Sequence, residues 1–308
     1  MLASLCAVSC YEDFITDYPS PNMGFALSRQ VRTVIESKNS IFVGVSIGGK
    51  REVDPNDWAT FQIDESILEG TGKTLLPSSY YTLADPNTFR VRRTGIAVAD
   101  VEITFSDDFY ADEKSLTGEY ALPFVITGVS IPAHADSTGT IDPRGAVRAG
   151  ADNAIVAIKY IDEYSGVYYK MGTVTEVDAS GNAIGEPVSY GNKVDINNCQ
   201  TVEVTTAGRH ILRRSGLANT NSGSMNLTIE SPTAKVSNLS VSGIGDVVIS
   251  NATATLKREG AYTFYGGNDV CPQIDLEYTY AANSKYYKVS ESLVLRQWAE
   301  NALRVETF

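Results

Sequence analysis

Apolar and polar residues alternate along much of this chain with a period of two. Ile41, Val43, Val45 and Ile47 share one face of a run that Gly48 and Gly49 close with a turn. Successive side chains of an extended strand point to opposite faces, so this run is predicted as a half-buried strand. The same alternation returns at 58–63 and 101–105, and again where Tyr120, Leu122, Phe124 and Ile126 make one apolar face. A Pro-Ser-Ser turn leads into a further strand at 80–83. Short strands about ten residues apart, separated by turn residues, predict an immunoglobulin-like β-sandwich over 26–152.

A stretch rich in Gly, Pro and Asp follows from 133 to 152, and the domain boundary is expected at its end. Beyond it the pattern resumes at 154–161 and 168–171, with a hairpin at 174–184 around Asp178-Ala179-Ser180-Gly181-Asn182. Strands are expected at 201–205, 225–229, 236–241, 246–250 and 253–257. Ile274, Leu276, Tyr278 and Tyr280 then alternate with polar residues, 281–284 turns the chain, and 286–295 runs back. This predicts an all-β, antiparallel C-terminal domain over 153–308, either a sandwich or a lipocalin-like barrel. Only 28–36 and 297–303 suggest short helices. Tyr, at 17 residues, is abundant in the β-rich composition.

Charge narrows the function. The net charge of −12 lacks the basic stripe that nucleic acid or anionic lipid would need. No apolar run reaches the ~20 residues of a membrane helix. At the N-terminus, Leu5-Cys6-Ala7-Val8-Ser9-Cys10 passes abruptly into Tyr11-Glu12-Asp13. Small residues before a cysteine and acids after it are the pattern of a bacterial lipoprotein cleavage site. Cys10 is therefore the expected lipidated residue, with 1–10 a signal remnant and 11–25, which contains Tyr18-Pro19-Ser20-Pro21, a tether. The nine residues before Cys10 are short for such a signal. Cys199 and Cys271 are expected to be buried free thiols rather than a disulfide.

Motifs for catalysis are weak. Gly44-Val45-Ser46-Ile47-Gly48 fits G-x-S-x-G, but Ser46 lies inside an alternating strand with no helix after it. The phosphate-loop spacing from Gly44 to Lys50 fails at Arg51. His134 and His210 are too few and too dispersed for zinc. Asp275 and Glu277 share a strand face at a glycosidase-like separation, as solvent-facing acids ordinarily do. Acids at 107–108 and 112–113 leave calcium open as an alternative. No catalytic residue, metal or cofactor is assigned.

Aromatic residues are the better candidates. Trp and Tyr rings stack on the apolar faces of sugars while their polar tips tolerate water. Trp58, Trp298, Tyr190, Tyr262, Tyr265 and Tyr286 are the candidate glycan contacts, with strand packing as the ordinary alternative.

Taken together, Cys10-Tyr11-Glu12-Asp13, Val31-Arg32-Thr33-Val34-Ile35, 43–49, Leu76-Pro77-Ser78-Ser79-Tyr80-Tyr81-Thr82-Leu83 and Tyr120-Ala121-Leu122-Pro123-Phe124 resemble the N-terminal domain of surface lipoproteins of gut Bacteroidetes. Tyr168-Tyr169 and the stretch 286–296 resemble the β-rich C-terminal domain that commonly follows. The resemblance implies a lipid-anchored protein on the outer face of the outer membrane, encoded in a polysaccharide-utilisation locus. It would bind polysaccharide or oligosaccharide for an adjacent outer-membrane transporter complex, without catalysis and without nucleic acid. Some relatives carry the N-terminal domain on an endoglycosidase, whose acidic cluster is absent here. The alternatives are an adhesion or assembly module and an unrecognised glycoside hydrolase.

Overall fold

The computed structural model describes residues 20–93, 95–264 and 267–299. It is all-β, in two successive units. The first holds β1 (Asn22–Gly24), β2 (Arg29–Val34), β3 (Ser40–Gly48), β4 (Trp58–Ile63), β5 (Thr74–Leu75), β6 (Tyr81–Leu83), β7 (Thr88–Val91), β8 (Val98–Phe105), β9 (Tyr120–Val129) and β10 (Asn153–Tyr160). They form one curled sheet in the order β1-β3-β8-β7-β4-β9-β10-β2, with β5 beside β9 and β6 beside β8. The expected alternation is realised in β3, where Ile41, Val43, Val45 and Ile47 are buried and their neighbours are not. Residues of β3, β4, β8, β9 and β10 share one core, so the curled sheet closes over itself as a sandwich does. Gly44 permits the close approach of β3 to β8, since a Cβ there would lie 2.2 Å from the Ala99 carbonyl oxygen.

Three boundaries differ from the sequence reading. Met23 and Phe25 are buried and β1 pairs with β3, so the fold begins inside the stretch 11–25 expected as a tether. Residues 28–36, expected as a helix, contain β2, because the parallel ladder with β10 supplies its hydrogen-bond partners. β10 itself, expected at the head of the C-terminal domain, is inserted between β9 and β2 and completes the first sheet. The chain therefore leaves the first unit after Tyr160 rather than at 152. Cys10 and the tail from 300 lie outside the described residues.

The second unit contains β11 (Gly166–Val177), β12 (Val188–Tyr190), β13 (Thr201–Gly208), β14 (Ile211–Ser215), β15 (Ser224–Ile229), β16 (Val236–Gly243), β17 (Ile249–Lys257), β18 (Gln273–Ala282) and β19 (Lys285–Trp298). β11 pairs with β13 on one side and with β19 on the other, which closes eight antiparallel strands into a barrel. β12 adds to β11 beyond the end of β13. The barrel reading is thus the one realised. Eight strands leave an interior that side chains can fill, and Tyr168, Tyr278, Leu212 and Leu293 are among those that fill it. The β18–β19 hairpin turns at Asn283 and Ser284, at φ 51° and 61°. Positive φ at both central residues is the geometry of a type I′ turn.

Polar contacts join the units. Arg209 of the β13–β14 turn donates to Glu36 and to Asp107, each at 2.6 Å, and its guanidinium lies 5.9 Å from the Tyr110 ring centre. At the crossing, the Asp162 N–H donates to Thr206 Oγ1 at 2.8 Å, and Thr206 Oγ1 also meets Ser165 Oγ at 2.7 Å. Burial pushes the Asp162 carboxyl up to about 6, against the Tyr164 N–H that it accepts at 2.9 Å. The raised value means that folding favours the protonated acid. That stabilisation is complete below about pH 4 and is lost as pH rises through about 6.

Two outcomes follow. Phe89 packs at 4.3 Å on Phe61 and edge-on at 5.8 Å to Phe25, with no exposure. Phe89→Ala should lower the unfolding free energy in denaturant by about 3–5 kcal/mol. Asp162→Asn removes one titration. The stability of the wild type minus that of the variant should fall by on the order of 3 kcal/mol between about pH 4 and pH 7. Parallel pH profiles of the two proteins would contradict this account of Asp162.

Candidate functional site

The candidate aromatics do not converge on one place. Trp58 is 36% exposed on the outer face of β4, with its ring over Gly128 in the first unit. Tyr286 and Trp298 are 43% and 46% exposed but occupy opposite ends of β19. At ~3.4 Å per residue they stand roughly 40 Å apart. Tyr190 turns into the barrel, where its hydroxyl donates to Glu291 Oε2 at 3.0 Å. Tyr262 donates to the Lys193 carbonyl at 3.2 Å and packs on the cluster of Met171, Cys199 and Cys271. Tyr265 lies outside the described residues. Tyr286 and Tyr190 therefore do not belong with Trp298, whereas Tyr262 belongs to the loop whose Phe264 faces it.

The described parts of that loop, 258–264 and 267–272, and the loop 191–200 fold over the outer wall of the barrel and leave a cleft of about 440 Å³. Tyr169, Asn197, Phe264, Cys271, Leu295 and Arg296 line it. Its floor is apolar because β11 and β19 bury their outward faces here too, through Tyr169, Met171 and Val294. Cys199 and Cys271 are both buried free thiols in that floor, as expected. Burial pushes the Cys271 thiol up from its ordinary value. The Tyr169 hydroxyl donates to Asn197 Oδ1 at 3.1 Å and so fixes the amide at the rim. Phe264 and Trp298 lie 6.2 Å apart with their planes tilted by 38°, forming an aromatic wall.

A bulge aims the charged member of the site. The pairing of β11 with β19 shifts register between Val167 and Tyr168, and Arg296 opposes no residue there. Bulges re-aim side chains in this way. Its guanidinium lies 5.7 Å from the centre of the Tyr169 ring, a cation–π arrangement. Trp298 pairs with Gly166, where a Cβ would lie 2.3 Å from the Gln297 carbonyl oxygen. Glycine at 166 is thus needed for the end of β19 to seat. Sequence reading missed Tyr169, Asn197, Phe264 and Arg296. The available signal was Leu293-Val294-Leu295, apolar on both faces, which implies a cover over the outer wall.

A second groove, of about 410 Å³, runs along β2 and β3 and is lined by Arg32, Phe42 and Asp100 among others. Its aromatic ring is already covered, since the Arg92 guanidinium lies 4.3 Å from the Phe42 centre and donates to Asp100 at 2.6 Å.

Three of the carboxylates singled out in the sequence are engaged. Asp275 accepts from Lys257, Ser292 and Gln273. Burial works to raise its pKa, yet those donors outweigh it and hold the carboxyl below the usual range. Asp112 accepts from Tyr120 at 2.6 Å and Tyr80 at 3.1 Å, and Asp107 from Arg209. Ser46 Oγ donates to the Gly24 carbonyl and accepts from Arg148.

The barrel interior holds charges that the sequence reading did not anticipate. Arg214 and Glu291 are fully buried and meet at 2.6 Å. Arg214 also donates to the carbonyls of Gly216 and Ala218. Glu291 accepts from Tyr190, and Lys170 is buried on the same inward face. Burial raises the Glu291 pKa, against the Arg214 charge that favours its ionised form.

Residues 11–133 match a protein family described as an N-terminal domain. The matched stretch runs through the first unit as far as β9. Across both units the fold matches a Bacteroides ovatus protein of unknown function at 19% identity and TM-score 0.69, covering 94% of this chain and 98% of that one. A second Bacteroides ovatus protein of unknown function matches at 12% identity and TM-score 0.45, over 89% and 94%. A provisionally assigned carbohydrate-binding protein from Bacteroides ovatus matches at 9% identity and TM-score 0.29, over 91% and 100%. No curated protein matches the chain. The two-unit, all-β architecture is thus shared with the first of these Bacteroides ovatus proteins, as the resemblance in sequence implied.

Removing one partner of the interior ion pair strands the other charge without water. Glu291→Leu should lower the unfolding free energy by about 3–5 kcal/mol, read by denaturant titration. The double variant Arg214→Leu/Glu291→Leu should recover much of that loss.

Proposed function

We propose that this chain is a non-catalytic, carbohydrate-binding lipoprotein of the outer-membrane surface. Anchored through Cys10, it holds polysaccharide for an adjacent uptake system. The observation that carries the binding role is the cleft beside β19, with the Phe264–Trp298 wall, the fixed Asn197 amide and Arg296 at one opening. Sugar rings present apolar C–H faces to aromatic walls and hydroxyls to amides and guanidinium groups. The engaged states of Asp275 and Asp112, and the absence of a carboxylate among the described residues of the cleft lining, favour binding over hydrolysis. An aromatic-walled cleft on a rigid barrel suits capture, because little must be ordered when the ligand arrives.

Native gels containing plant, host and microbial polysaccharides test this, with reducing ends assayed in the same mixtures. The chain from Tyr11 onward should be retarded by at least one polymer and should release no new ends. Trp298→Ala and Phe264→Ala should each weaken that retardation roughly tenfold, about 1.4 kcal/mol, with the fold unchanged by circular dichroism. New reducing ends would make the protein a hydrolase. Retardation unaffected by both substitutions would move the site elsewhere. Metabolic labelling with a radioactive fatty acid should mark the protein in cells and fail for Cys10→Ala.

A further inference from the structure

The proposed reading leaves the class of glycan open, and the charges around the cleft decide it. The protein is acidic, with a net charge of −12. Six of its arginines pair with its own carboxylates. Arg90 pairs with Asp85, Arg92 with Asp100, Arg144 with Asp142 and Asp152, Arg209 with Glu36 and Asp107, Arg214 with Glu291, and Arg258 with Glu163. Arg296 differs. It is exposed, lines the cleft, and has no carboxylate or hydrogen-bond partner among the described residues. Its single described contact is the Tyr169 ring, at 5.7 Å. Among the described residues, none that lines the cleft with it is acidic. Charges beyond about 8 Å are largely screened at physiological ionic strength, so an anion in the cleft meets Arg296 rather than the overall charge.

The placement is built. Arg296 is the extra residue of the β11–β19 bulge, and Tyr169 supports one face of the guanidinium. Held in this way, the planar fork of an arginine offers paired N–H donors that match a carboxylate or sulfate. Phe264 lines the same cleft, with Trp298 against it at 6.2 Å, and offers an aromatic wall to a sugar ring.

We infer that the glycan bound in this cleft is acidic, and that Arg296 pairs with a carboxylate or sulfate on a sugar whose ring packs on the Phe264–Trp298 wall. This rests on the carbohydrate-binding reading and refines it.

The test uses the whole chain from Tyr11 onward against polygalacturonate, its carboxyl-reduced neutral counterpart, chondroitin sulfate and chemically desulfated chondroitin, by calorimetry and affinity gels. At least one polymer should bind tenfold or more tighter than the counterpart that lacks its tested carboxylate or sulfate, and added sodium chloride should erode that preference. The polygalacturonate pair isolates a carboxylate and the chondroitin pair isolates a sulfate. Arg296→Gln should abolish the preference, bringing the two members of the pair to the same affinity, and Arg296→Lys should restore part of it. Equal binding within both pairs, or a preference that survives Arg296→Gln, would overturn the assignment of Arg296 and leave carbohydrate binding standing. Failure of every acidic and neutral polymer to bind would overturn the underlying reading together with this one.

Discussion

The pairing of β11 with β19 is the constraint on which the second unit depends. It joins the first long strand of that unit to the last, from Gly166–Trp298 at one end to Val177–Tyr286 at the other. Without it the strands from β13 to β19 would be an open sheet with two unsatisfied edges, and the interior side chains would face water. Closure also creates the cleft. The pairing needs a bulge near the end of β19, and the bulge supplies Arg296 while Gly166 makes room for the strand that carries Trp298. The candidate site is therefore a consequence of how the barrel shuts.

Closure also determines what lies inside. Lys170, Arg214 and Glu291 occupy inward positions on three strands, and Arg214 and Glu291 are 77 residues apart in sequence. A buried ion pair is weak evidence for stability, because desolvation offsets most of the attraction. A more specific role is register. A one-residue slip of β19 would turn Glu291 outward and leave Arg214 alone in an apolar interior, so the pair opposes misregistered closure. Tyr190 on β12 completes the arrangement by donating to Glu291, which ties the extra strand to the barrel.

Much of the fold was legible as alternation. In β3 the pattern predicted each buried residue, because one face of the strand meets a core and the other does not. It failed for β2, where Val31 and Val34 are buried in different clusters on the two sides of the sheet. Burial from both sides removes the period of two, and the remaining spacing resembles a helix. β10 went to the wrong unit for a related reason. Its run is apolar on both faces, and only its pairing with β2, more than a hundred residues upstream, reveals where it belongs. In the site, aromatic side chains were visible as a residue type, but their partners were not. Tyr286 and Trp298 looked equivalent in sequence, yet they lie at opposite ends of one strand.

The sequence by itself determined the all-β class, most strand positions, the two-unit order and the acidic surface. Those follow from side-chain alternation, turn residues and composition, which act locally. Tertiary structure alone decided that the second unit is a closed barrel, that β10 belongs to the first, and that Tyr169, Asn197, Phe264 and Arg296 share a cleft with Trp298 against Phe264. Closure is a long-range pairing whose register depends on every intervening strand. Residues 169 and 296 come together because of it, and no local pattern encodes that distance.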